Sequence, residues 1–264
     1  MEINRENFKE IIKTTNISAN KNLGQNFLVE PDICSRIVSL LNIEEGDKVL
    51  EIGPGLGSLT HFLSSYELDV VDIDKRMCEV LSAIYADKTN INIINQDVLK
   101  FDVTKYDKII SNLPYYITSD ILTHLLLNAN RCKEMVFMVQ KEAAMRFLDA
   151  DDTSEPLSVL INILGSISKE FVVKPTNFIP MPHVDSLVFK IKITNNINDI
   201  KSIYKFVKCM YLQKRKTIYN NLTSYTHDKV KSLSVLETIG LDRNLRPENL
   251  KKDDYLKLYY EVKK

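Results

Sequence analysis

The chain has 264 residues, 44% of them hydrophobic and 27% charged, with 35 Lys and Arg balanced by 35 Asp and Glu. That length and mixture suit an ordinary globular protein with one large domain, or a large and a small one, around a sizeable core. No apolar run approaches the roughly 20 residues of a membrane helix, and Met1 to Lys13 is charged throughout, without a secretory signal. Cys34, Cys78, Cys132 and Cys209 lie 44, 54 and 77 residues apart, which rules out a C-x-x-C motif. Four isolated thiols and no signal predict a reducing, cytoplasmic location. His61, His124, His183 and His227 are scattered, and no metal site is expected. The neutral total conceals an asymmetry. Residues 195–264 carry 15 Lys and Arg against 8 Asp and Glu, a net of +7, and residues 1–194 carry 20 against 27, a net of −7. A basic tail behind an acidic body fits either a polyanion partner or a merely solvated helical surface.

Residues 1–20 predict an amphipathic, frayed N-terminal segment. Lys21 to Leu28 is an irregular polar–apolar stretch, and Pro31 opens a helix to about Leu41. Lys48-Val49-Leu50-Glu51-Ile52 predicts a first parallel strand, ending in Gly53-Pro54-Gly55-Leu56-Gly57 with a helix beginning near Ser58 or Leu59. The G-x-G-x-G spacing differs from the dinucleotide fingerprint, but it serves the same end: glycines let a backbone approach a ligand closely before a helix N-terminus. A second strand, Leu68 to Val71, ends at Asp72, 19 residues beyond Gly53. An acid at that distance can accept hydrogen bonds from ribose hydroxyls, or simply cap the turn. A helix from Lys75 to Tyr85 leads to a third strand, Ile91 to Ile94. Asp97 follows, either a cap or an acceptor for an adenine amino group.

The fourth strand, Lys108 to Ser111, runs into Asn112-Leu113-Pro114-Tyr115. Such a turn lies where open α/β sheets place their ligands. Pro114 fixes its own φ and biases Leu113 toward extension. An Asn amide oxygen, an outward carbonyl and an aromatic face together suit an exocyclic amine on a flat ring. Beyond it come a helix from Thr118 or Ser119 through Leu127, a fifth strand from Met135 to Val139, and a helix from Gln140 to Leu148. A polar loop spans 149–156. Leu157 to Leu164 reads as helix, Phe171 to Lys174 as a further apolar segment, Phe178 to Ser186 as a proline-stiffened loop, and Leu187 to Ile193 as a last strand. The alternation predicts an α/β fold with a mostly parallel, doubly wound sheet over 1–194. After a linker at 195–198 the pattern is helical, so 195–264 predicts a small all-helical domain.

Together these pieces resemble the KsgA/Erm family of S-adenosylmethionine-dependent rRNA adenine N6-dimethyltransferases. The resemblance rests on Leu23 to Leu28, Glu51 to Gly57, Asp97, Asn112 to Tyr115 and Phe178 to Ser186, and resumes at Gln213 to Leu222, whose Arg-Lys-Thr…Asn-Asn-Leu pattern favours the KsgA branch. Tyr116 stands where the family usually has Asn, Thr153 to Pro156 replaces a usual Tyr-Gly pair, and the helix between Gly57 and Asp72 is short. The resemblance implies a Rossmann-like methyltransferase domain at 1–194 and an RNA-binding helical domain at 195–264. It implies S-adenosyl-L-methionine held by Asn26, Leu28, Gly53, Asp72, Asp97 and Asn112. Asn112 and Leu113 would grip the N6 amine, while Tyr115 would stack on the base or fill core. Phe178 would cover the opposite face or pack beneath its loop. Lys214, Arg215 and Lys216 would contact phosphates, or form a solvated helix face. The implied substrate is two adjacent adenines near the 3′ end of 16S rRNA within a precursor 30S particle, modified by a monomer without metal or membrane. An Erm-type enzyme acting on 23S rRNA, and a non-catalytic binding factor of the same fold, are the alternatives.

Overall fold

The computed structural model describes residues 3–15, 19, 24–114, 117–148 and 155–264. In chain order the elements are α1 (Arg5–Thr15), β1 (Phe27–Leu28), α2 (Pro31–Ser39), β2 (Lys48–Ile52), α3 (Thr60–Leu63), β3 (Glu67–Asp72), α4 (Lys75–Ile84), β4 (Ile91–Asn95) and β5 (Lys108–Asn112). They continue with α5 (Thr118–Asn128), β6 (Glu134–Gln140), α6 (Lys141–Met145), α7 (Pro156–Leu164), β7 (Gly165–Val173), β8 (Phe178–Ile179) and β9 (Ser186–Ile193). The last four are α8 (Ile200–Met210), α9 (Ile218–Thr226), α10 (Lys229–Ile239) and α11 (Lys252–Val262). They gather into two compact units, Met1–Ala144 with Ser168–Ile193, and Met145–Ile167 with Thr194–Lys264.

The first unit is built on a seven-stranded sheet of order β4-β3-β2-β5-β6-β9-β7. β3, β2, β5 and β6 pair in parallel through Ile52↔Val71, Ile52↔Ser111 and Asn112↔Met138, and β9 returns antiparallel to β6. The central strands are largely apolar because both faces are covered. Val49, Val70, Ile110, Val136 and Met138 pack with α2, Leu63 and Leu81 in one cluster, while Leu50, Val71, Ile109 and Phe137 on alternate positions are also fully buried. Chain order reverses at β2, whose neighbours are β3 and β5, so a crevice opens beyond the carboxyl ends of β2 and β5.

Three expectations change. The N-terminal segment is not frayed over the described residues: Ile3, Phe8 and Ile11 are buried with Phe27, Val29, Leu56 and Met77. An amphipathic helix acquires an apolar partner only in three dimensions. The loop at 178–186 begins with a strand, β8, paired antiparallel to β1 as Phe27↔Ile179 and Leu28↔Phe178. The apolar segment at 171–174 is mostly the end of β7.

In the second unit α7 packs with α8 and α11. Its face is apolar nearly all round, with Leu157, Val159, Leu160, Ile161, Ile163 and Leu164 buried. The Thr194 and Asn195 amides both donate to the Leu164 carbonyl, at 3.0 and 2.9 Å. The helical unit is therefore discontinuous in sequence, where the residue pattern suggested one break after Thr194. Among the described residues, no helix is long and apolar enough to cross a membrane.

Candidate active site

One cleft in the first unit enclosing about 1110 Å³, part of it open to solvent, gathers most of the sequence-derived residues. Asn26, Leu28, Gly53, Asp72, Asp97, Asn112 and Leu113 all line it. They arrive from four places: the segment preceding and forming β1, the turn after β2, the end of β3 with the turn after β4, and the end of β5.

The glycine turn is shaped by backbone angles that L side chains rarely adopt. Gly53 has φ +63°, and a Cβ there would meet no atom within 4 Å, so the turn leaves a cradle that a side chain would fill. Gly55 has φ +56°, and its added Cβ would come within 2.9 Å of the Phe27 ring. Phe27 in turn lies 5.6 Å from Phe8, so α1 presses the wall carrying Asn26 and Leu28 onto the turn. The Gly53 amide donates to the Val71 carbonyl at 2.9 Å, tying the turn to β3.

Long-range hydrogen bonds hold the walls together. Ser111 Oγ donates to the Ile52 carbonyl at 2.5 Å, and Ser58 Oγ to the Leu28 carbonyl at 2.6 Å. Asn112 Nδ2 donates to the Asn26 carbonyl at 3.3 Å, and among the described residues its Oδ1 accepts no hydrogen bond. The Leu113 amide donates to the Met138 carbonyl at 3.0 Å, which orients the peptide just before Pro114.

Three carboxyl groups face the cleft. Asp72 accepts from the Asp74 amide at 2.8 Å, yet burial and then the Asp74 charge outweigh its amide partners and raise its pKa to about 6. Glu51, 1% exposed, accepts from Thr60 Oγ1 at 2.7 Å. Burial, with a further push from Asp72, drives its pKa up to about 8. Asp97 caps the following turn by accepting from the Leu99 amide at 3.0 Å, so it is both cap and cleft residue. Glu51 belongs to the glycine-turn motif, but the sequence assigns it no role of its own. The available signal is an acid inside an otherwise apolar strand directly before the glycines. Gln25, Ile73 and Gln96 also line the cleft, and nothing local to them indicates it.

One expected residue is not brought to it, and one lies outside the described residues. Phe178 is 2% exposed and belongs to the core cluster with Leu28, Ile37 and Val188, so it presents no open face to a base. Pairing of β8 with β1 turns it inward, and packing beneath the loop is the reading that holds. Tyr115, with Tyr116 and residues 153–154, lies outside the described residues. In the second unit, Lys214, Arg215 and Lys216 occupy a turn between α8 and α9 rather than a helix face. Lys214 pairs with Glu155 at 3.1 Å. Arg215 and Lys216 are exposed. Asn221, 2% exposed, donates to the carbonyls of Gln213, Lys216 and Thr217 at 3.2–3.4 Å and braces that turn. No group of three or more His, Cys, Asp or Glu able to hold a metal ion occurs among the described residues.

This geometry agrees with what the chain is similar to. The family model described as ribosomal RNA adenine dimethylase matches residues 16–264. A protein of Malacoplasma penetrans named ribosomal RNA small subunit methyltransferase A is 40% identical over 265 residues, covering 96% of each chain. One of the same name from Mycoplasma mycoides subsp. mycoides SC is 38% identical over 259 residues, covering 92% of this chain and 97% of the relative. A crystal structure of a dimethyladenosine transferase from Plasmodium falciparum superposes with a TM-score of 0.77 at 27% identity, covering 90% of this chain and 97% of the other. That of the 23S rRNA methyltransferase ErmE, at 21% identity and a TM-score of 0.67 over 90% of this chain and all of the other, shares the fold. With a match across nearly the whole chain and a cleft that unites the glycine turn with the Asn-Leu-Pro turn, the protein belongs to the ribosomal RNA adenine dimethylase family.

Proposed function

We propose that this protein dimethylates N6 of two adjacent adenines near the 3′ end of small-subunit rRNA during ribosome biogenesis, using S-adenosylmethionine and acting as a monomer on a precursor 30S particle. The observation that carries the reading is that the Asn112-Leu113-Pro114 turn and the Gly53 cradle line one cleft. The two relatives at 38% and 40% identity are named small-subunit methyltransferases, which favours this substrate over 23S rRNA. The intact Asn112 turn favours catalysis over a purely binding role.

The cleft suits the methyl donor chemically: an open glycine cradle for close backbone approach, and carboxylates for hydroxyl and amino groups. Asn26, Leu28, Gly53, Asp72, Asp97 and Asn112 would hold it, with Asp72 accepting from ribose hydroxyls and Asp97 from the adenine amine. When bound, it supplies an electrophilic methyl group on sulfonium, an already good leaving group. The protein's task is then positioning rather than acid–base work. The target adenine leaves its stack to enter the cleft. Asn112 Oδ1, which no described donor occupies, and the Leu113 carbonyl accept from the two N6 hydrogens and aim the nitrogen lone pair across the cleft. Tyr115 stacks on the base. Since the same nitrogen reacts twice, the grip tolerates one methyl in place of one hydrogen.

The test is transfer of labelled methyl groups to purified unmethylated small subunits, followed by mapping of dimethyladenosine. Asn112→Ala is expected to lower kcat by at least about 100-fold, the scale of removing a transition-state-positioning contact, while donor binding weakens only partly. An unchanged rate would remove the mechanism, and label appearing only in 23S rRNA would replace the substrate.

A further inference from the structure

Met181 is 64% exposed, on a loop that has little freedom to bury it. Immediately before it, Phe178 is locked in the core and Ile179 packs beside Phe27, Leu56 and Met77. The Val29 amide donates to the Asn177 carbonyl at 3.0 Å, and the Arg5 guanidinium donates to the Thr176 carbonyl. Pro180 and the buried Pro182 flank Met181 and restrict the backbone on both sides. An unbranched apolar side chain is thus held out in solvent by a braced support.

Its position follows from strand pairing. β8 runs antiparallel to β1 with Leu28↔Phe178 and Phe27↔Ile179, which sets Ile179 opposite Phe27, a residue that lines the cleft. Gln25 and Asn26, just before Phe27, line it as well. Met181 follows Ile179 by two residues, so it stands close to the β1 wall of the cleft.

An adenine that swings out of a helix leaves a gap in the stack. Proteins that unstack nucleic acid commonly occupy such a gap with Met, Leu, Phe or Pro. We propose that Met181 packs against the nucleobase next to the extruded adenine, contributing to recognition of unstacked RNA rather than to donor binding. This rests on the adenine-methylation reading above. A polarizable thioether on an unbranched stem adapts to either a purine or a pyrimidine face, so the contact selects an unstacked geometry more than a sequence.

Steady-state methylation of unmethylated small subunits by wild type, Met181→Ala and Met181→Leu tests it, alongside donor titrations and thermal melts of the three proteins. Met181→Ala is expected to lower kcat/KM for the subunit by about tenfold, the scale of one buried Met side chain. Donor affinity and Tm should stay at wild-type values, and Met181→Leu should remain within about twofold because it conserves volume and apolarity. Undiminished transfer by Met181→Ala would overturn the inference. So would equal losses in both variants, or a loss carried by donor affinity. If wild type itself transferred nothing to small subunits, the adenine-methylation reading would fall and take this role with it.

Discussion

Replacing either of two glycines in the turn after β2 separates backbone strain from ligand exclusion. In Gly53→Ala the left-handed angle, φ +63°, costs about 1–2 kcal/mol, and the new methyl meets no protein atom within 4 Å. In Gly55→Ala the same strain at φ +56° is joined by a 2.9 Å approach to the Phe27 ring. Phe27 is backed by Phe8 and cannot simply retreat, so overpacking adds about 1–3 kcal/mol. Equilibrium urea unfolding of the free proteins should therefore rank wild type above Gly53→Ala, with Gly55→Ala lowest. Titration with S-adenosylmethionine should show a different pattern for its size. Gly53→Ala loses at least about tenfold in affinity, roughly 1.4 kcal/mol, because its methyl occupies cleft space rather than core. Wild-type donor affinity in Gly53→Ala would refute the cradle. A larger stability loss in Gly53→Ala than in Gly55→Ala would refute the packing account.

Donor affinity should rise with pH through about 6 and then level off, since ribose hydroxyls donate best to an ionised Asp72; Asp72→Asn should bind more weakly with no such rise. Glu51 contributes in the opposite sense to stability. Its folded pKa of about 8 exceeds the unfolded value of 4.5, so the fold keeps a proton that the unfolded chain releases. Its contribution is complete below the unfolded value and lost as pH climbs toward 8. Urea unfolding of wild type should therefore lose stability relative to Glu51→Gln between about pH 5 and 8, and parallel curves would remove the assignment. In the second unit, Arg215→Ala with Lys216→Ala should weaken small-subunit binding and flatten its log–log salt dependence by about 0.7–0.9 for each phosphate that is no longer neutralised. An unaltered slope would mean the turn does not touch RNA.

Much of the site was legible because its signals are local. Gly53, Gly55 and Gly57 mark a turn that needs positive φ, and the φ values of +63°, +56° and +93° meet that need. Asp72, Asp97 and Asn112 stand at or just past strand ends, and strand ends can be read from short apolar runs bounded by polar residues. In a parallel sheet those ends share one edge, so the cleft follows from the alternation itself. Phe178 shows the limit: its motif fitted a base contact, but only the pairing of β8 with the sequence-distant β1 determines that the ring faces the core. Glu51 was visible as a residue, while its raised pKa depends on burial and on Asp72, neither of which is a local property.

Residue order alone determined the alternating strands and helices from β2 to β6, the glycine turn, the carboxylates at strand ends and the Asn-Leu-Pro corner, because each is an interaction among residues a few positions apart. Only the tertiary structure decided that α1 braces the β1 wall and that α7 belongs with the C-terminal helices. The same holds for Asn112, which takes its orientation from the Asn26 carbonyl, and for Met181, which stays exposed just beyond β8. Those outcomes depend on which distant apolar faces find one another, and many pairings satisfy the same local pattern until the whole chain packs.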